Sequence, residues 1–359
     1  MSKIITIIGT RPEIIRLSRI LPSLDKTNEN ILVHTGQNYD YELDKIFFKE
    51  LNIRNPDYYL GAKGSFPEQL STISKSLEKI ILKEKPEKFV VLGDTNSSLG
   101  AIVAKRLKLK VYHLEAGNRS YLKNSPEEVN RKIIDHVSDI NLPYTQRSCE
   151  NLISEGINRK NVFIIGNPIY EVMNFYSEKI NNSKILKKLN LESNNFILCT
   201  LHREENVENI KKIKSYLLFM KKLTKAFNTK IVFPVHPRTK NKIKNLKLKL
   251  SNKIHLIKPL GFVDFSCLEK NTKFIITDSG TVQEEASILN KLCLVFRDAT
   301  ERPETIENGD TLLINKDFQN LNKIKRALLR TTSRHEIKEY KTPNVSNIVS
   351  NIINSDILL

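Results

Sequence analysis

Cysteine is scarce and scattered. Cys149, Cys199, Cys267 and Cys293 lie 50, 68 and 26 residues apart, so there is no CxxC pair from which to build a zinc site or a redox motif. Buried thiols are expected instead. No run approaches the roughly 18 apolar residues that a bilayer span requires, which argues against a membrane protein. Met1-Ser-Lys and the short apolar Ile4–Gly9 are not followed by a small-residue cleavage site, so the segment predicts a first β-strand rather than a signal peptide. A cytoplasmic location is the expectation. Acidic residues are in deficit, 40 against 58 Lys and Arg, for a net charge of +18. The excess is lysine, spread as in Lys240, Lys242, Lys244, Lys247, Lys249 and Lys253, with neither an RNP-type aromatic motif nor a zinc-finger pattern beside it. A solvated basic face is expected, and a nucleic-acid partner is not. Low-complexity tracts and short internal repeats are also missing.

What remains is a chain of 359 residues, 40% hydrophobic and 27% charged, long enough for two globular domains. Short β-rich apolar runs alternate with longer stretches of helical periodicity, the pattern of a parallel α/β sheet. The first half predicts strands at Ile4–Gly9, Ile31–Gly36, Phe89–Gly93, Val111–Glu115, Asp139–Pro143 and Val162–Gly166. The second predicts Phe196–Thr200, Ile231–Val235, Ile254–Pro259, Phe274–Asp278, Leu292–Phe296 and Thr311–Ile314. Six and six imply two doubly wound halves, divided at Asn167-Pro168 into domains 1–168 and 169–343. In the final segment, 344–359, Val345, Ile348, Val349, Ile352 and Ile353 share a helical face expected to pack back on the first domain.

Open parallel sheets bind ligands beyond the carboxyl ends of their strands, and here those ends are rich in polar groups. They include Gly9-Thr-Arg-Pro-Glu13, His34-Thr-Gly-Gln-Asn38, Gly93-Asp-Thr95, His113-Leu-Glu-Ala-Gly117, His202-Arg-Glu-Glu-Asn206, His236-Pro-Arg238, Thr277-Asp-Ser-Gly280 and Arg297-Asp298. Each alone could be a turn or a helix cap; so many on one rim point to a site. Asp278-Ser-Gly-Thr-Val-Gln-Glu-Glu285 and Gly9-Thr-Arg-Pro-Glu13 suit a diphosphate, because free N–H groups at a strand-to-helix turn favour anions and Arg11 can reach one. Walker A and GxGxxG motifs are absent, which removes support from nicotinamide chemistry. Without GxSxG or HExxH, serine-hydrolase and zincin chemistry have no motif either. His113 and His236 lack a local partner at helical spacing, and no metal is expected.

In Ser125-Pro-Glu-Glu-Val-Asn-Arg131, Ser125 and Glu128 predict a reciprocal capping box, leaving Glu127 open to a catalytic role with Arg131 four residues on. Asp94 and Glu115 each follow a buried run, where desolvation is expected to raise a carboxyl toward neutrality. His202 is either a base, a cationic phosphate contact or a hydrogen-bonded rim histidine.

Together Gly9-Thr-Arg-Pro-Glu13, Gly93-Asp-Thr95, Glu115-Ala-Gly117, Pro126-Glu-Glu128, His202-Arg203, Asp278-Ser-Gly280, Gln283-Glu-Glu285 and Glu301-Arg-Pro-Glu304 resemble, in order over the whole chain, the non-hydrolysing UDP-N-acetylglucosamine 2-epimerase family. The resemblance implies two Rossmann-like domains in a GT-B arrangement with an interdomain cleft, a UDP-sugar substrate, no cofactor and a homodimer. It implies inversion at C2 by elimination of UDP and re-addition through a 2-acetamidoglycal, for surface polysaccharide precursors. Carried over by motif, Asp94, Glu115 and Glu127 would be the acid/base group, with His202 assisting near the diphosphate. Arg11, Ser279, Gly280, Thr281 and Glu285 would hold UDP, with Glu285 on the ribose, while Arg131, His236 and Arg302 would contact sugar or phosphate. Phe265 would stack near the uracil or simply fill the core. Arg16 stands where a Lys is usual, and Glu115-Ala-Gly-Asn-Arg119 replaces EAGLR. Those departures look closer to the UDP-N-acetyl-L-fucosamine synthase branch, and a shortened Glu115–Glu127 spacing argues against activation by a second substrate molecule. The alternative is a GT-B glycosyltransferase, which would share the fold but needs one base rather than several clustered carboxylates.

Overall fold

The structure is a computed structural model, and it describes residues 1–37, 41–122, 125–207, 209–246, 251–314, 321–329 and 336–355. The chain divides into two units, Met1–Phe175 with Lys338–Leu359, and Tyr176–Ile337.

The first unit holds a six-stranded sheet: β1 (Lys3–Ile8), β2 (Glu29–His34), β3 (Tyr58–Tyr59), β4 (Lys88–Leu92), β5 (Lys110–Leu114) and β6 (Ile140–Leu142), in the order β3-β2-β1-β4-β5-β6. All pairings are parallel. Helices cover both faces, so the strands read as unbroken apolar runs, and every residue of β4 is buried. One strand expectation is corrected, and one strand was not expected. Val162–Gly166 is not a strand: Phe163 and Ile165 donate to the carbonyls of Asn141 and Pro143, but Pro143 has no N–H to return, and only an isolated bridge at Val162 forms. The sixth strand is instead Tyr58–Tyr59, a two-residue edge paired to Val33 and His34, too short to show periodicity. Helix Val345–Asn354 lies in this unit, where Ser346 N–H donates to Glu171 (2.8 Å) and Lys88 Nζ donates to the Ile353 carbonyl (2.8 Å).

The second unit repeats the plan with β7 (Phe196–Thr200), β8 (Lys230–Pro234), β9 (Ile254–Ile257), β10 (Ile275–Thr277), β11 (Cys293–Val295) and β12 (Thr311–Leu313), ordered β12-β11-β10-β7-β8-β9 and again all parallel. Its core packs Phe233, Phe274 and Phe296 against Tyr216, Phe219 and Met220 of helix Ile210–Ala226. Read from the first strand outward, the two sheets have the same order. Each therefore has one topological switch point, between β1 and β4 in the first unit and between β7 and β10 in the second. All four cysteines are buried and free, and among the described residues no helix is long and apolar enough to cross a membrane.

Candidate active site

The first switch point is built around a carboxyl that the sequence reading left without a role. Glu13 occupies the third position of helix Arg11–Leu17, where it accepts from the N–H groups of Gly9 and Thr10 (2.9 Å to Thr10) and from the Thr95 hydroxyl (2.6 Å). One side chain thus ties the turn after β1 to the turn after β4. Burial pushes its pKa up to about 7 against the pull of those three donors, and the charge of Asp94 adds to the rise. The capping-box spacing from Thr10 to Glu13 was the available signal.

Asp94 follows β4, and its Oδ2 lies 2.6 Å from Arg131 Nη2; Asn130 Nδ2 holds the Asp94 carbonyl at 2.9 Å. Glu115 follows β5 and is buried; Arg16 Nη1 donates to its Oε2, and Asn118 Nδ2 lies 3.3 Å from Oε1. Arg16 is itself buried, with its guanidinium 5.6 Å from the Tyr144 ring centroid. Arg11 is half-buried, 6.0 Å from the centroid of Phe47.

Helix Pro126–Val137 brings a correction. Ser125 makes no side-chain cap bond to the helix backbone, so the expected capping box does not form. Glu128 turns instead to the preceding loop, accepting from Ser120 N–H and Oγ (2.9 Å each), Tyr121 N–H (3.2 Å) and Arg131 Nη1 (2.8 Å). Burial raises its carboxyl, but these donors and the Arg131 charge outweigh it and hold the pKa below the usual range. Glu127, half-buried, accepts from Ser125 Oγ (2.6 Å). Arg131 thereby bridges Asp94 and Glu128.

At the second switch point the organiser is Asp278, fully buried after β10. It accepts from the N–H groups of His202 (3.1 Å) and Arg203 (3.0 Å), from Asn206 Nδ2 (3.0 Å), and pairs with His202 Nδ1 (3.1 Å). Burial alone would raise it, yet His202, Asn206 and the Arg203 N–H bring its pKa down to about 2. His202 keeps 62% of its side chain exposed, so the ring can meet a ligand as well as Asp278. Ser279 stands at the N-cap position of helix Gly280–Ile288 without a side-chain cap bond, its Oγ 2.8 Å from Thr281 Oγ1. A Cβ at Gly280 would lie 2.6 Å from Glu301 Oε1 and 2.8 Å from Arg302 Nη1, so any larger residue there would displace that ion pair. Arg302 is buried in an ion cluster, its Nε 2.7 Å from Glu284 and its Nη1 donating to Glu301, which also pairs with Arg297 at 2.6 Å. Glu285 is buried beside Glu269, whose carboxyl is driven well above the ordinary range by burial first and then by Glu285. His236 is half-buried at the start of helix Pro237–Asn245, and Phe265 half-buried on helix Phe262–Asn271.

Arg11, Arg16, Asp94, Glu115, Glu127 and Arg131 therefore belong to the first unit, and His202, His236, Phe265, Ser279, Gly280, Thr281, Glu285 and Arg302 to the second. Residues 23–354 match the family model described as UDP-N-acetylglucosamine 2-epimerase. A protein of that name from Methanocaldococcus jannaschii is 42% identical over 337 residues, covering 91% of this chain and 92% of the relative. A UDP-2,3-diacetamido-2,3-dideoxy-D-glucuronate 2-epimerase from Pseudomonas aeruginosa is 37% identical, covering 87% and 88%. The crystal structure of the M. jannaschii UDP-GlcNAc 2-epimerase in complex with UDP-GlcNAc and UDP superposes with a TM-score of 0.89 at 38% identity, over 98% of this chain and 99% of that one.

Proposed function

The chain belongs to the UDP-N-acetylglucosamine 2-epimerase family and is an isomerase, and from that premise we propose that it inverts C2 of a UDP-N-acetylhexosamine without a redox cofactor. The observation that carries this reading is a pair of arginine-held carboxylates, Asp94–Arg131 and Glu115–Arg16, at the ends of neighbouring strands β4 and β5. Inversion needs two proton transfers at one carbon on opposite faces, which is work for more than one carboxylate.

In the first step a carboxylate among Asp94, Glu115 and Glu127 takes the C2 proton. The C–H electron pair becomes the C1=C2 bond, and the C1–O bond breaks with its electrons left on the β-phosphate oxygen of UDP. A carboxyl group then returns a proton to the other face of C2, and the phosphate oxygen re-forms the bond to C1. The departing diphosphate gains negative charge as the C1–O bond breaks, so fixed positive groups favour this step. His202, Arg11 and the helix start at Ser279, Gly280 and Thr281 supply donors of that kind. Glu285 is assigned to the ribose hydroxyls, Arg131, His236 and Arg302 to sugar or phosphate, and Phe265 to the uracil.

Two substrate pairs fit the chemistry: UDP-GlcNAc with UDP-ManNAc, and the 6-deoxy-L-talo/L-fuco pair. Asn118 favours testing the second, because it stands within 3.3 Å of Glu115 and its Oδ1 accepts from Ser148 Oγ (2.9 Å), so this departure from EAGLR touches a candidate catalytic carboxylate. Incubation with each UDP-sugar in deuterated water, followed by NMR, should show deuterium entering C2 together with the epimer. The faster sugar identifies the branch. Intact UDP binding without exchange in either sugar would overturn the proposal and favour a glycosyltransferase.

A further inference from the structure

We propose that His113 and Asp135 are positioning residues that lock Asp94 and Glu115 to one another across β4 and β5; this rests on the epimerase reading of those two carboxylates. Neither residue is assigned a role by the chemistry above, yet both are almost wholly buried directly beneath it. His113 lies on β5 two residues before Glu115, in register with Val91 of β4. Its Nε2 is 3.0 Å from the carbonyl of Gly93, the residue preceding Asp94, and its Nδ1 is 2.8 Å from Asp135 Oδ1.

Asp135 sits on helix Pro126–Val137, one turn beyond Arg131. Its two oxygens also accept from the Gly117 N–H (3.2 Å each) and lie 2.7 Å from Arg119 Nη2 at the nearer one. Burial would raise this carboxyl, but His113 and Arg119 outweigh it and keep the group below its ordinary range, an acceptor only. One buried carboxylate therefore bears on two turns. It fixes the Glu115–Gly117 turn directly and orients the imidazole, while the link from β5 to the Gly93–Asp94 turn itself is the Nε2 contact with the Gly93 carbonyl.

The Glu115 turn needs such a clamp. Glu115 has φ +67°, a left-handed conformation rare outside glycine, and Gly117 has φ +79° with a hypothetical Cβ 2.2 Å from the Ser148 carbonyl. A purely structural role would be to neutralise buried Arg119, but Glu155 already does so, with Arg119 Nε and Nη2 donating to its two oxygens at 2.8 and 2.5 Å. The His113–Gly93 bond is not needed for that neutralisation. The β4–β5 ladder already ties the Gly93 N–H to the Leu114 carbonyl (3.0 Å), and the His113 contact fixes the Gly93 carbonyl as well, so it holds Asp94 in place relative to Glu115, where a displacement of about 1 Å costs on the order of 100-fold in rate.

Two variants separate the roles. In His113→Asn the amide nitrogen can replace Nδ1 toward Asp135 but cannot reach Gly93; in His113→Gln it can replace Nε2 toward Gly93. Per folded molecule, H113N should lose about 100-fold in kcat with KM and the Kd for UDP unchanged, and H113Q should recover most of that loss. Amide exchange at Gly93 should rise about tenfold in H113N while the second unit stays as in the parent. Equal losses in both variants, or H113N turning over within about threefold of the parent, would overturn the proposal. A parent chain that exchanges no C2 hydrogen would instead remove the epimerase reading. The clamp would then stand or fall on the Gly93 amide, unchanged exchange in H113N refuting it.

Discussion

The two sheets share one strand order and one location for chemistry, yet their switch points carry different cargo. In the first unit the strand ends present carboxylates gripped by buried arginines, with Asp94, Glu115 and Glu128 shared between Arg16 and Arg131. In the second, a fully buried carboxylate, Asp278, shapes the turn, and around it stand an exposed imidazole, the paired hydroxyls of Ser279 and Thr281 and a helix start. On the proposed function the same topology would provide oriented proton carriers in one case and hydrogen-bond donors to an anion in the other. Topology decides where a ligand can bind, and the side chains at the switch decide what is done there.

This contrast breaks most sharply at the carboxylates. D94N or E115Q should lower kcat by about 1,000-fold, within the range for loss of a general acid or base, while the Kd for UDP, measured by calorimetry, stays near that of the parent. A comparable loss of UDP affinity would show that the division of labour is wrong.

The organising acids of the two units should respond to pH with opposite sign. Glu13 has a folded pKa of about 7 against an ordinary 4.5, so the folded chain holds a proton that the unfolded chain gives up. Its contribution is intact below pH 4.5 and falls away by about 3 kcal/mol as the pH rises through 7. Denaturant titrations of the parent and E13Q at pH 5 and pH 8 should show this as a difference between the two proteins, because burial of His34 lowers its pKa to about 4 and moves both the other way over the same range. Asp278, at about 2 against 3.8, does the reverse: its stabilisation is complete above pH 3.8 and about 2 kcal/mol is lost as the pH falls through 2. Acid unfolding followed by intrinsic fluorescence should move to higher pH in D278N.

The mildest expected change is E269Q. Burial first and then Glu285 push the Glu269 carboxyl well above its ordinary range, which favours the neutral acid, so the amide is close to an isostere and stability should change by less than about 1 kcal/mol. A loss of several kcal/mol would place an ionised Glu269 in the core and reverse that assignment.

Much of the fold was legible because parallel strands covered on both faces must be apolar throughout, and runs such as Lys88–Leu92 or Phe196–Thr200 stand out at any register. Tyr58–Tyr59 did not, since two residues at a half-exposed edge carry no period. Val162–Gly166 misled because its composition is that of a strand, whereas pairing depends on whether the neighbour at Pro143 has an N–H to give. At the site, the polar residues after each strand were visible one by one. Their partners were not: Arg16 and Glu115 are 99 positions apart, and His202 and Asp278 are 76 apart.

Local sequence determined the alternation of strand and helix, eleven of the twelve described strands and the polar character of the strand ends, because periodicity and turn chemistry act over a few residues. Tertiary structure alone decided which arginine holds which carboxylate, that Glu128 turns to Ser120 instead of capping its own helix, and that Glu13 and Asp278 are driven in opposite directions. Those outcomes depend on burial and on charges brought together from distant parts of the chain, and both arise only when each unit folds.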